Sequence, residues 1–295
     1  MPIVFVLIWS TGFIVAKFGL PYAPPLTFLA LRYFLSIVCF LVWIRLSRAP
    51  WPQGRAQWLH LAVTGILMHA MYLGGVWVAV KAGMGSGLAA LIVGLQPVLT
   101  ALWVSQMGVH GQDGAAATVS RRQWVGLVLG LGGLLLVVSR KFTAGQEVTL
   151  LTLAATVIAL FSITAGTLYQ KRYVQPTDVR TANAVQLMAA LAITLPFALM
   201  EQEAVTWNTP FMGAMAWSVL ALTLGGSSLL YLLIQRGAAT AVTSLLYLVP
   251  PTTALMAWVL FDELITVSTI LGTAITAVGV SLVVRPAKSA PAAPG

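Results

Sequence analysis

Ten long apolar stretches run through this sequence, and none of them holds an aspartate or a glutamate. They fall at about 3–20, 25–46, 57–80, 85–107, 122–139, 148–170, 179–200, 210–233, 238–261 and 266–284. Each is near the ~20 residues that a helix needs to cross the hydrocarbon core of a bilayer. In lipid every backbone polar group must find its partner inside the protein, which leaves helices as the reading for unbroken apolar runs of this length. Of the 295 residues 59% are hydrophobic and only 8% charged, against about 25% charged in soluble proteins. The chain reads as an all-α polytopic membrane protein with ten transmembrane helices, short loops and no separate soluble domain.

Two of the stretches carry prolines at their centres. Pro250 and Pro251 interrupt the run from Ala238 to Phe261, and Pro97 interrupts the run from Gly85 to Met107. A proline removes a backbone donor and clashes with the carbonyl one turn back. The freed carbonyl is tolerated in a membrane only against protein or a wet cavity. Aligning Pro97 with Pro250 also places Leu95 over Leu248, Thr100 over Thr253 and Leu102 over Leu255. Span five resembles span ten, with Gly126 over Gly272 and Gly133 over Gly279; in spans one and six, Ser10 and Pro24 fall over Ser162 and Pro176. The stretch His110–Ser120 reads as an insertion in the first copy. The chain therefore divides into repeats at 1–144 and 145–285, followed by a Pro/Ala-rich tail at 286–295 that is expected to be disordered. Five helices per repeat is an odd number, so the two copies are expected to lie inverted in the membrane, around a central cavity.

Charge sets the orientation. On the side of the N-terminus lie Arg45, Arg48, Arg55, Arg121, Arg122, Lys171, Arg172, Arg180, Arg236, Arg285 and Lys288; the other side holds Lys17, Lys81, Arg140 and Lys141. That bias places both termini in the cytoplasm. The net charge of +9 follows these span ends and forms no basic stripe, so a nucleic-acid partner is not expected. The N-terminus lacks a basic leader region and reads as part of span one. Cys39 stands alone inside a span and reads as a small buried hydrophobe.

Trp9-Ser10-Thr11-Gly12-Phe13, then Pro24-Pro25-Leu26 leading to Leu31-Arg32-Tyr33, the proline-centred fourth and ninth spans, and Asp262-Glu263 after the ninth together resemble the EamA-type transporters. These are the ten-helix branch of the drug/metabolite transporter superfamily. The resemblance covers essentially the whole chain and implies export of amino acids or related metabolites across the inner membrane. One departure is plain: where that family often has Gly-Glu after the fourth span, this chain reads Met107-Gly108-Val109-His110.

Candidate site residues are the polar and aromatic groups near mid-span. They are Trp9, Ser10, Thr11 and Phe13 in span one, His69, Tyr72 and Trp77 in span three, and Gln96 in span four. Ser162 and Thr164 in span six, Ser227 and Tyr231 in span eight and Tyr247 in span nine complete the set. Pro97, Pro250 and Pro251 are candidate bending points. Serines and threonines within a span also bond their own backbone, whereas a midplane histidine is costly and usually faces an interior or a cavity. Arg32 lies about 10 Å inside its span at 1.5 Å per residue; it either ties two helices together or contacts a substrate carboxylate. Spans five and ten are mostly Gly, Ala and Leu and read as scaffold, with Gly126 and Gly130 spaced for close helix approach.

The polar inventory points to a carrier. No paired intramembrane aspartates and no His/Glu zinc cluster stand in the spans, and Gly85-Ser86-Gly87 follows Met84 where a rhomboid-type motif needs glycine, so an intramembrane enzyme is disfavoured. No ring of filter residues marks a channel. The expected partners are a small amphipathic metabolite and the lipid bilayer; a monomer is expected, and no metal or cofactor is. With no intramembrane carboxylate, transport is expected to run mainly on the substrate's own gradient.

Overall fold

The computed structural model describes residues 2–106, 121–143, 148–235, 248–263 and 265–284; Tyr247, the 110–120 stretch and the tail lie outside them. Among the described residues the chain is all helical. The helices are α1 (Pro2–Gly19), α2 (Pro25–Ser47), α3 (Arg55–Lys81), a two-piece α4 (Ser86–Val93 and Gln96–Gln106), α5 (Arg121–Thr143), α6 (Leu150–Tyr173), α7 (Val179–Ala198), α8 (from Thr209, its last segment Ser228–Gln235), α9 (Val249–Phe261) and α10 (Val267–Val284). Five of these are long and apolar enough to cross a membrane, and five shorter apolar helices accompany them.

Helix starts follow from local chemistry. Thr149 and Thr152 form a reciprocal capping box on α6, Asp178 accepts from Arg180 N at the start of α7, and Asn208 accepts from Phe211 N at the start of α8. The start of α2 is capped from a distance: Glu201 accepts from Leu26 N, Thr27 N and the Thr27 hydroxyl at 2.7–3.0 Å. A carboxylate there meets the positive end of the helix dipole.

The prolines act differently from the expected mid-helix kink. The α4 break falls at Gly94-Leu95, and Pro97 sits in the first turn of the second piece. Pro250 and Pro251 likewise occupy the first turn of α9, where a missing N–H costs nothing. Gly94 faces Pro250, and a Cβ on Gly94 would stand 2.8 Å from its ring. The α4 break therefore lies against the first turn of α9, since α4 packs on α9.

Two wider turns were not foreseen. Ile66–Met71 in α3 and Ser218–Ser227 in α8 are π-helical. Such a turn frees backbone carbonyls and is common at functional sites. Neighbouring residues of α2 tie into both. The Tyr33 hydroxyl donates to His69 O at 2.8 Å, and Arg32 Nε donates to Thr223 Oγ1 at 2.9 Å.

Helix packing pairs α2 with α7, α3 with α6 and α7, α1 with α8 and α9, and α5 with α10. At the α5–α10 seam the two backbones meet closely. A Cβ on Gly133 would stand 2.5 Å from Gly272 O, and one on Gly279 would stand 2.5 Å from Gly126 O. The Thr276 hydroxyl reaches Gly130 O at 3.3 Å. Later residues of one helix meet earlier residues of the other, so the pair is antiparallel. Lipid supplies no hydrophobic drive between helices, and small residues let backbones meet closely.

Candidate functional site

The walls of the central cavity are laid out by helical period. Residues at i, i+3 and i+4 share one face of a helix. From α1 come Trp9, Gly12 and Phe13; from α3 come Met68, His69, Tyr72, Leu73, Val76 and Trp77, an unbroken stripe. From α8 come Leu222, Ser227, Leu230 and Tyr231, from α7 Asn183 and Gln186, from α6 Ile163 and Gln170, and from α2 Arg32. Together they enclose about 750 Å³ of space not filled by atoms, its open mouth included. The space suits a small metabolite.

The cavity is set toward one face. Gln170, Asn183 and Tyr231 lie within a turn or so of the helix ends on the face carrying the α2–α3 and α6–α7 loops. That face is joined by Gln57, which donates to Gln175 O at 2.9 Å and to the Thr177 hydroxyl at 2.7 Å. Toward the opposite face the lining stops at Phe13 and Trp77, and charged groups hold the helices together beyond it. Lys17 Nζ lies 2.7 Å from Glu263 Oε1, which also accepts from Ser86 N at 3.1 Å. Lys81 Nζ lies 2.6 Å from Glu203. Glu263, from the Asp-Glu pair after span nine, thus joins the ends of α1, α4 and α9.

The sequence candidates separate by face. Trp9, Phe13, Arg32, His69, Tyr72, Trp77, Ser227 and Tyr231 line the cavity. Ser10 is buried, and its hydroxyl has no hydrogen-bond partner among the described residues. The Thr11 hydroxyl bonds Ile8 O and accepts from Trp217 Nε1 at 2.9 Å. Neither lines the cavity, because a helix that turns Trp9, Gly12 and Phe13 inward must turn residues 10 and 11 away. Ser162 is buried beside the wall without lining it, and Thr164 bonds Leu160 O of its own helix. Gln96 and Pro97 line a smaller space behind Trp9, Phe13, Tyr72 and Ile163, where Gln96 Nε2 donates to the Thr167 hydroxyl at 3.0 Å.

Three amides escaped sequence reasoning. Asn183, Gln186 and Gln170 are at most 5% exposed and line the cavity. Asn183 and Gln186 stand one turn apart in an otherwise apolar span, a spacing that marks a single polar face. Among the described residues no group of three or more His, Cys, Asp or Glu is placed to hold a metal ion.

Comparison with known proteins places this architecture. A model of the EamA-like transporter family matches residues 1–139 and again residues 150–285. The chain is 25% identical over 216 residues to an uncharacterized inner membrane transporter, YedA, of Escherichia coli, a match spanning 73% of this chain and 66% of that relative's length. It is 24% identical to a probable amino-acid metabolite efflux pump of Escherichia coli, over 93% of this chain and 90% of that one. A solved crystal structure shares the fold with a TM-score of 0.67 at 15% identity, covering 95% of this chain and 94% of the other.

Proposed function

The chain belongs to the EamA-like transporter family, and on that premise we propose that it exports small metabolites, amino acids first among them, across the inner membrane by alternating access. The observation that carries this reading is the cavity, to which α1, α2 and α3 contribute from the first half and α6, α7 and α8 from the second. Aromatic walls at Trp9, Phe13, Tyr72, Trp77 and Tyr231 favour hydrophobic or aromatic side chains, while a few polar groups orient the rest of the molecule. A relative named as a probable amino-acid metabolite efflux pump supports the same cargo class.

Two inverted copies provide the means. The reciprocal glycine contacts of α5 and α10 support a two-fold axis, in which residue i of one element meets j of the other and j meets i. The π-helical turns in the third helix of each half, and the α4 break facing the first turn of α9, support the same symmetry. The α5–α10 pair acts as scaffold while the other helices rock about the break at Gly94-Leu95 and the start of α9 at Pro250-Pro251. The charge bias keeps both termini in the cytoplasm. With no aspartate or glutamate inside the spans, the cargo's own gradient drives transport. Purified protein in liposomes preloaded with phenylalanine or leucine is expected to accumulate the labelled amino acid by saturable counterflow. Flux that grows linearly with concentration and shows no counterflow would defeat the carrier reading.

A further inference from the structure

We infer that Arg32 is an anion-recognition residue, that the cargo is defined by its carboxylate, and that an amino group is dispensable. The inference deepens the transport reading and rests on it only in calling the bound molecule cargo.

Arg32 is 5% exposed, lies well inside α2, and lines the cavity. Among the residues lining that cavity none is an acid, and among the described residues no carboxylate forms an ion pair with Arg32. A guanidinium carries five N–H donors, and the tie to α8 uses one: Nε donates to Thr223 Oγ1. Thr223 in turn donates its own proton to Ser218 O at 2.9 Å, so its hydroxyl can only accept from Arg32. The π-helical turn of α8 thus supplies the carbonyl that fixes this chain of bonds. With Nε occupied, the two terminal nitrogens have no partner among the described residues and form an end-on fork, the geometry that takes a carboxylate through two parallel bonds.

A buried charge without a counter-ion is costly, and a helix tie alone needs only one neutral donor. A ligand anion resolves both facts. A second donor lies on the same cavity: Gln186, 3% exposed, whose Nε2 has no hydrogen-bond partner among the described residues. No lining side chain offers a carboxylate to an ammonium group. The site accordingly matches aromatic and aliphatic carboxylates, amino acids included, and excludes amines that lack an acid.

Three probes sharing one ring separate these requirements at neutral pH: phenylalanine, 3-phenylpropanoate and 2-phenylethylamine. Calorimetry on the purified full-length protein is expected to give the two carboxylates affinities within about tenfold of each other, and the amine at least tenfold weaker binding. Arg32→Lys, which keeps the charge but loses the fork, should weaken both carboxylates; Arg32→Gln should abolish them. An amine that binds as well as the carboxylates, a requirement for both groups together, or no carboxylate binding at all overturns the inference. So does Arg32→Gln protein that melts like the wild type and still holds 3-phenylpropanoate. If Arg32→Gln does not fold, the wild-type ranking and Arg32→Lys decide. Carboxylate binding without any counterflow would sink the transport reading and leave the anion site standing. Phenylalanine counterflow that 3-phenylpropanoate cannot compete would do the reverse.

Discussion

Replacing Gly133 by alanine tests the seam on which both halves depend. The added Cβ would stand 2.5 Å from Gly272 O and 2.6–2.7 Å from Thr276 Oγ1 and N, where ordinary contact begins at 3.4 Å. Two of these three atoms are backbone, so turning the Thr276 side chain aside cannot relieve the clash. The helices must part by nearly 1 Å and loosen the neighbouring Gly126–Gly279 contact. Overpacking of this kind costs about 1–3 kcal/mol. Gly132, the next residue back, has nothing within 4 Å of its would-be Cβ. Alanine there should be neutral, or stabilising by up to about 1 kcal/mol through helix propensity. Thermal unfolding in detergent, followed by size-exclusion recovery, is expected to show Gly133→Ala melting several degrees lower and Gly132→Ala unchanged or higher. Equal melting of the two variants would refute the claim that α5 and α10 meet backbone to backbone at this face.

Two further outcomes follow from single bonds. Tyr33→Phe removes the side-chain donor from the His69 carbonyl in the π-helical turn, which keeps the Tyr72 N–H; the cost is about 0.5–1.5 kcal/mol, seen as a lower melting temperature, and an unshifted melt would show that the bond carries no stability. Glu263→Gln removes the charge that holds Lys17 and the first amide of α4, so hydrogen exchange at Ser86 N should quicken, while unchanged exchange would show that something else closes that face.

Much of this architecture can be read from residue order. Gly126, Gly130 and Gly133 announce a close helix contact because nothing else explains three small residues along one helix face in lipid. Ring residues such as Trp9, Phe13, Tyr72 and Trp77 stand out by size and period. Hydroxyls are harder. Ser10, Thr11 and Thr164 look polar at mid-depth, but their orientation depends on which stripe the bulky residues claim. The π-helical turns at Ile66–Met71 and Ser218–Ser227 are changes of hydrogen-bond register and leave no compositional mark. Arg32 was legible as an oddity, but its two attachments were not: the tie to Thr223 and the open fork depend on a turn that only the fold reveals.

The central claim is that one cavity is exposed to the two faces in turn. With Cys39 replaced, spin labels at Pro21 and Thr266 report on the face closed by Glu263, and labels at Tyr173 and Trp103 report on the face toward which the cavity leans; all four positions are exposed. Distances measured by pulsed electron resonance, with and without saturating phenylalanine, are predicted to move in opposite senses at the two faces. Distances that widen together, or that stay fixed at both faces while counterflow proceeds, would contradict the account.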